Sequence, residues 1–562
     1  MNTELLGIIA MFAITVLLAI PLGKYIARVY SGGKTFANAL LSPAEQLVYR
    51  LCAIDPDKEM GWKQHLRILL MLNFIWFLLT MALLMCQGWL PLNPDGNPSM
   101  SPDLAFNTAI SFIVNCNLQH YSGETGLSYL GQMFLMFLQF VSAAAGLAAA
   151  AVLFNALKER TTEKLGNFYV YFIKSITRIL LPLSFITAIL LMLAGTPMTF
   201  DGREQMTSLE GGQVEVSTGP VAAFTAIKHI GTNGGGFFGA NSAHPFENPN
   251  YFTNMVEMVA QMLIPFAMVF ALGFYLNRRK LSLMIFGVMT FGFLALTVPT
   301  VMTEMNGNPA IAQMGIDTTA GATEGKETRF GAAASGYWSI ATTVISTGSV
   351  NSMHDSAMPL SGMSQMLAMM VNCFYGGCGV GLLNFYIFII LAVFISGLMV
   401  GRTPEFLGKK IEAREMKIAM IIALLHPFLI LTGVALSVAF PGYGANTLNN
   451  PGYHGFSEIL YEFTSSAANN GSGFEGLGDN NPWWNIATGI VLLLSRFIPI
   501  VGPIAIAGML AAKKHIPESA GTLKADTSTF GILILAVIAI IAALSFFPAL
   551  ALGPVAEYFS LQ

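Results

Sequence analysis

The sequence predicts an all-α membrane protein of ten transmembrane helices, and three observations predict it. Of its residues 54% are hydrophobic and only 10% charged, with a mean hydropathy of +0.62, a composition suited to lipid rather than water. Ten stretches approach or exceed the roughly 20 apolar residues that a spanning helix needs: 5–27, 68–86, 129–157, 169–193, 255–276, 281–302, 379–400, 418–440, 484–510 and 530–552. Between them stand four polar loops rich in glycine or amide side chains, each preceded by a short apolar run and followed by a long one.

The first run is preceded by Asn2, Thr3 and Glu4 and followed by Lys24 and Arg28. It has no basic leader, so it reads as a span rather than a cleaved signal peptide, with the N-terminus outside. Threading ten spans from that start puts 24–67, 158–164, 278–280, 402–417 and 513–524 on one side, and these hold 21 of the 28 Lys and Arg residues. Such a bias marks that side as cytoplasmic. About 20 of the 31 Asp and Glu residues fall on or near the other side, which either concentrates cations at a mouth or reflects ordinary solvated loops.

Residues 31–67 form an amphipathic connection whose Asp55-Pro56-Asp57-Lys58-Glu59 cluster reads as a solvated turn. Ser101-Pro102-Asp103 then starts a helix, with Ser101 able to cap, Pro102 in the first turn and Asp103 at the positive end. The apolar run 104–114 that follows is too short to cross at about 1.5 Å per residue. It is expected to dip halfway in and deliver its carboxyl end to Asn115, Cys116 and Asn117. The runs 220–229, 335–345 and 455–466 stand in the same relation to the other three loops.

Gly231-Thr232-Asn233-Gly234-Gly235-Gly236-Phe237-Phe238 is the most telling of the four. Glycines leave the backbone bare and reach conformations closed to other residues. Their carbonyls can then replace the water around a dehydrated cation, as in potassium channels. The others are 114–119, 346–351 and 468–473, and irregular backbone at membrane depth requires a protein-lined or wet cavity. The chain therefore divides into 1–67, a first span with its connection; four span, pore-helix, loop and span repeats at 68–164, 165–280, 281–417 and 418–524; and a last span at 525–562.

Other features carry less. Tyr375-Gly376-Gly377-Cys378-Gly379-Val380-Gly381 interrupts the seventh run, either for close helix packing or as a flexible gate through Gly376, Gly377, Gly379 and Gly381. Cys52, Cys86, Cys116, Cys373 and Cys378 form no C-x-x-C pair, so neither zinc nor a disulfide is expected. His120, His244, His354 and His454 flank the loops and are expected to orient them by hydrogen bonds rather than to bind a metal. Lys174 and Arg496 lie within spans and call for counter-charges or water, because a charge at a helix centre is costly; Arg496 could also be a barrier to leak.

No G-x-x-x-x-G-K-[ST] loop is present, Gly408-Lys409-Lys410 lacking its partners, and no long soluble region could house a nucleotide domain. Any ATP-driven work must therefore come from a partner, and no nucleic-acid partner is expected. Two other classes fit parts of the pattern. A stand-alone potassium channel or secondary cation transporter would use the same filter, although a proton-coupled carrier needs mid-membrane carboxylates and the spans offer little beyond Glu257. An intramembrane enzyme would need a nucleophile beside a base, and no such pair is visible.

Six strings sharpen the reading: 231–238, Ala240 to Pro249 (ANSAHPFENP), Met353-His354-Asp355-Ser356, Gly401 to Lys410 (GRTPEFLGKK), His454-Gly455-Phe456-Ser457-Glu458, and Pro548 to Tyr558 (PALALGPVAEY). In these the chain resembles the KdpA family, potassium-binding subunits of the bacterial Kdp ATPase, almost end to end. The resemblance implies a filter open to the outside, with potassium contacts at Asn115, Cys116 and Asn117 and Gln119 just beyond. It further implies contacts at Thr232, Asn233 and Gly234, at Ser346, Thr347 and Gly348, and at Asn469, Asn470 and Gly471. Cys116 stands where the family more familiarly has Thr, and Thr347 where it has Cys. K+ is the implied ion, with no nucleotide bound by this chain. The implied partners are a KdpB-like P-type ATPase subunit, a KdpC-like subunit and a small KdpF-like peptide in a bacterial inner membrane.

Overall fold

The computed structural model describes residues 3–35, 38–401, 403–516 and 524–561; Arg402 and the 517–523 part of the last basic connection lie outside the described residues. Among the described residues ten helices are long and apolar enough to cross a membrane: Thr3–Tyr30, Trp62–Trp89, Tyr129–Lys158, Phe168–Leu193, Tyr251–Leu276, Arg279–Gln313, Val380–Met399, Ala413–Ala439, Pro482–Ala512 and Ser528–Ser560. These are spans 1 to 10 below, and each overlaps the stretch that the sequence predicts.

Among the shorter helices between spans, four lead into the polar loops: Pro102–Ile113, Val221–Ile230, Ala332–Ile345 and Gly452–Ala468. They are pore helices 1 to 4. Nearly every residue in pore helices 2 and 3 is buried, so these helices are enclosed by the spans rather than laid on the surface. One expectation about their starts fails. Ser101 is the N-cap of pore helix 1, but its side chain makes no capping hydrogen bond; the Asp103 carboxylate instead accepts from the Asn485 amide at 2.8 Å, tying the helix start to span 9.

Spans 3 and 5 form the centre, and the outer faces of spans 1, 2, 4 and 8 remain exposed. Small side chains explain the central position of span 3. Ala143 to Ala151 with Gly146 form a strip with almost no exposure, and such residues let backbones approach closely in lipid, where packing replaces the hydrophobic drive. Span 1 rests on span 5 for the same reason: Gly23 lies so near the Ala267 carbonyl and Phe270 that a methyl group would collide with both.

Span 7 is preceded by the helix Pro359–Val371 and by the loop 372–379 that carries the glycines. Two short antiparallel hairpins, Arg203–Thr207 with Gln213–Ser217 and Glu405–Phe406 with Lys409–Lys410, interrupt the all-helical pattern outside the spans. Span 4 contains a π turn, Ser175–Leu180, from which Arg178 binds both Glu45 oxygens at 2.6 and 2.5 Å. Lys174 and Arg496 do not find the counter-charges expected of them. Among the described residues neither has a carboxylate within 4.0 Å.

Candidate functional site

The four loops repeat one backbone conformation. In each, an amide beyond the pore helix reaches back five residues: Cys116 to the Ser111 carbonyl at 3.1 Å, Asn233 to Lys228 at 2.8 Å, Thr347 to Thr342 at 2.9 Å and Asn470 to Ser465 at 2.9 Å. On either side of that residue φ is positive: 61° and 61° at Asn115 and Asn117, 51° and 87° at Thr232 and Gly234, 55° and 89° at Ser346 and Gly348, and 51° and 108° at Asn469 and Gly471. Positive φ is costly for any residue but glycine. Its recurrence at every second position has a geometric effect: an ordinary extended chain alternates the sides to which its peptides point, and flipping alternate residues turns successive carbonyls the same way.

The loops close into a ring. A methyl group on Gly234 would overlap the Thr347 carbonyl, one on Gly348 the Asn470 carbonyl, and one on Gly471 the Cys116 carbonyl. Loop 1 meets loop 2 through Asn115, whose side-chain amide donates to the Gly231 and Thr232 carbonyls at 3.2 and 2.9 Å, and through Gln119, which donates to the Gly236 carbonyl at 3.2 Å and accepts from the Gly236 amide at 2.9 Å. All thirteen predicted contact residues lie in or at the edge of this ring.

Most of their side chains point away from it. Asn117 accepts from Gln139 at 2.7 Å, Asn233 accepts from Ser142 at 3.1 Å, Ser346 donates to Asn372 at 3.0 Å, and the Asn469 amide donates to the Ser495 hydroxyl at 3.1 Å. What the ring itself presents is mostly backbone, of which the Thr232 and Gly234 carbonyls accept from Asn115 and Asn241. The Thr347 hydroxyl and the Asn117 amide nitrogen are buried without a hydrogen-bond partner among the described residues.

The glycine loop before span 7 sits directly against the ring. The Cys378 amide donates to the Thr232 hydroxyl at 2.9 Å, and a methyl on Gly377 would lie 3.4 Å from that hydroxyl. Positive φ at Tyr375, Gly376 and Gly379 holds the turn, and Gly381 packs on the Tyr375 carbonyl too closely for any side chain. Arg496 reaches the same place, its guanidinium 3.4 Å from the position a methyl on Gly146 would take. It is buried and makes no hydrogen bond among the described residues. A narrow cavity of about 60 Å³ leads off between spans 7, 8, 9 and 10, lined by Asn372, Asn384, His426 and Ser495 among apolar residues.

Sequence reasoning missed the support behind loop 2. Lys228, to which the sequence analysis gives no role, is fully buried and paired with Glu247. Its ammonium also donates to Asn241 at 2.6 Å, and Asn241 donates to the Gly234 carbonyl at 2.6 Å. Glu247 accepts from the Phe238 amide at 2.9 Å. A lysine inside an otherwise apolar ten-residue helix was the available signal.

The four histidines contact side chains around the loops. His354 pairs with the Tyr461 hydroxyl at 2.7 Å, and His244 stacks on Phe238 with centroids 3.7 Å apart. His454 donates to Asp355 and to Glu557 at 2.9 and 2.8 Å, and His120 lies among Asn485, Glu462 and Asp479.

Ten apolar spans around four short buried helices, whose loops close on one another, define a multi-pass membrane protein. The chain belongs to the KdpA family, described as "Potassium-transporting ATPase A subunit", which matches residues 9–559. It is 72% identical over 573 aligned positions to the Potassium-transporting ATPase potassium-binding subunit of Flavobacterium johnsoniae, and 60% identical over 569 to that of Bacteroides fragilis, covering 100% of each chain in both cases. The subunit of the same name from Alicyclobacillus acidocaldarius is 50% identical over 560 positions and 99% of each chain. Among solved structures, the crystal structure of the potassium transporter TrkH from Vibrio parahaemolyticus superposes with a TM-score of 0.51 at 14% identity, over 89% of this chain and 98% of that one. That likeness is one of fold.

Proposed function

We propose that the ring is a potassium filter and that this chain is the potassium-binding, translocating subunit of an ATP-driven importer. One observation carries the reading: four loops with positive φ at alternate positions close on one another, with a neighbouring loop's carbonyl against each of Gly234, Gly348 and Gly471. Such carbonyls suit a dehydrated monovalent cation. The contact residues are those of loops 1 to 4, Asn115 to Asn117 with Gln119, Thr232 to Gly234, Ser346 to Gly348 and Asn469 to Gly471. The four repeats are 68–164, 165–280, 281–417 and 418–524, flanked by one span at each end.

In this reading K+ enters from outside a bacterial inner membrane and passes the glycine loop, with Arg496 as the barrier against leak. It leaves sideways through the cavity beside Asn372, Asn384 and Ser495 toward a KdpB-like P-type ATPase subunit. KdpC-like and KdpF-like subunits complete the complex, and ATP is hydrolysed on the partner.

Gly234→Asp tests the filter. Uptake by cells lacking other potassium systems should require much more K+, or Na+ should be admitted; unchanged kinetics and selectivity would remove loop 2 from the filter. The stand-alone channel is the second reading, supported by the same ring. Purified chain in liposomes separates the two, because rapid K+ flux without any partner would favour the channel.

A further inference from the structure

We infer that His120, Glu462 and Asp479 form a binding site for a divalent transition-metal ion at the rim of the ring, where loops 1 and 4 meet. His120 follows loop 1, Glu462 lies on pore helix 4 and Asp479 follows loop 4, so three separate segments supply one cluster. The His120 Nε2 atom stands 3.2 Å from Glu462 and 3.9 Å from Asp479, and the three ligand atoms all lie within 4.8 Å of one another. Ligands about 2.0–2.1 Å from a zinc ion are spaced about 3.3 Å apart on a tetrahedron. His120 and Glu462 are buried, and Asp479 is 29% exposed, which leaves an entry path and room for a solvent ligand.

The surroundings fix which imidazole nitrogen faces the carboxylates as a free ligand. Asn485 lies between His120 Nδ1, at 2.7 Å from its Oδ1, and Asp103, to which its amide nitrogen donates at 2.8 Å. Because a carboxylate only accepts, the Asn485 oxygen must face His120, so Nδ1 donates to it and Nε2 is the nitrogen a metal would take, its hydrogen toward Glu462 passing to solvent. Such an outer partner is what orients a metal-binding histidine. The other His-carboxylate cluster differs in this respect: both nitrogens of His454 face carboxylates, so no uncharged outer partner is left to orient the ring on a metal. No lysine or arginine of the described residues lies within 4.0 Å of Glu462 or Asp479. The charge of the two carboxylates matches that of a divalent ion.

The test is calorimetric titration of ZnCl2 into the purified full-length protein with its co-purifying subunits, repeated with CoCl2 and visible absorption. One ion per chain is expected. His120→Ala and Asp479→Asn should each abolish the cobalt bands, and Asn485→Ala, a positioning change, should weaken binding about 10- to 100-fold. Asp479→Asn keeps size and shape, so it answers the question even if His120→Ala fails to fold. Wild-type zinc binding no tighter than that of Asp479→Asn would overturn the site. A consequence that rests on the filter reading is zinc inhibition of K+ uptake in wild type and its loss in Asp479→Asn; intact zinc binding without inhibition would overturn the consequence and leave the site.

Discussion

The side-chain amide of Asn241 donates to the carbonyl oxygen of Gly234 at 2.6 Å, while the oxygen of the same side chain accepts from Lys228 at 2.6 Å. One asparagine thus ties the ring to a fully buried Lys228–Glu247 ion pair. The conformation of loop 2 is held from behind, and the ring inherits its rigidity from charges that never meet solvent.

Removing one partner of that pair leaves a bare buried charge. Lys228→Met is expected to destabilise the protein by about 3–5 kcal/mol. Adding Glu247→Gln should recover part of it, since the glutamine oxygen still accepts from the Phe238 amide. Thermal unfolding of both single variants and the double variant in detergent checks this; simple additivity would show that the ion pair is not what supports the loop.

Gly234 has φ of 87° and the Thr347 carbonyl against its Cα. Gly234→Ala should therefore weaken K+ capture, combining about 1–2 kcal/mol of left-handed strain with a forced shift of loop 3. The concentration of K+ at half-maximal uptake reads this out. Cys116→Ser should differ, because in the ring it is the Cys116 backbone carbonyl that packs on Gly471; the change should stay within the roughly 1.5 kcal/mol of a near-isosteric swap.

Arg496 is buried without an ion pair among the described residues, an arrangement that costs stability and persists where function requires it. Arg496→Gln is expected to raise the melting temperature and, in liposomes, to raise passive K+ flux through the assembled complex. A more stable protein with no added leak would remove Arg496 from the barrier role.

His454 joins pore helix 4 to the loop after the ring and to the C-terminal segment through Asp355 and Glu557. Burial opposes its charge, but the two carboxylates outweigh burial and raise it from 6.5 to about 10. A raised folded value contributes stability that is complete below about 6.5 and is lost as pH rises through about 10. The stability difference between wild type and His454→Gln should accordingly shrink between pH 8 and pH 10.5. A difference that stays constant over that range would mean that His454 does not hold its proton there.

Much of this was legible in the chain because lipid imposes simple rules. Backbone groups must be satisfied within helices, so the length and apolarity of Tyr129–Lys158 or Tyr251–Leu276 announce spans. The run before Asn115 announces a half-span by being too short. Glycines 234, 235 and 236 announce backbone that must approach something closely.

The sequence by itself determined ten apolar helices, a basic side, and four loops of small and amide residues at unequal intervals, since hydropathy and local backbone freedom are properties of neighbours along the chain. Only the tertiary structure decided that Gly234 meets Thr347, Gly348 meets Asn470 and Gly471 meets Cys116. It also decided that Lys228 is buried on Glu247 and that Ser101 leaves its cap unmade. These partners lie roughly 19 to 355 residues apart or depend on such contacts, and their energies come from packing and burial that no local pattern encodes.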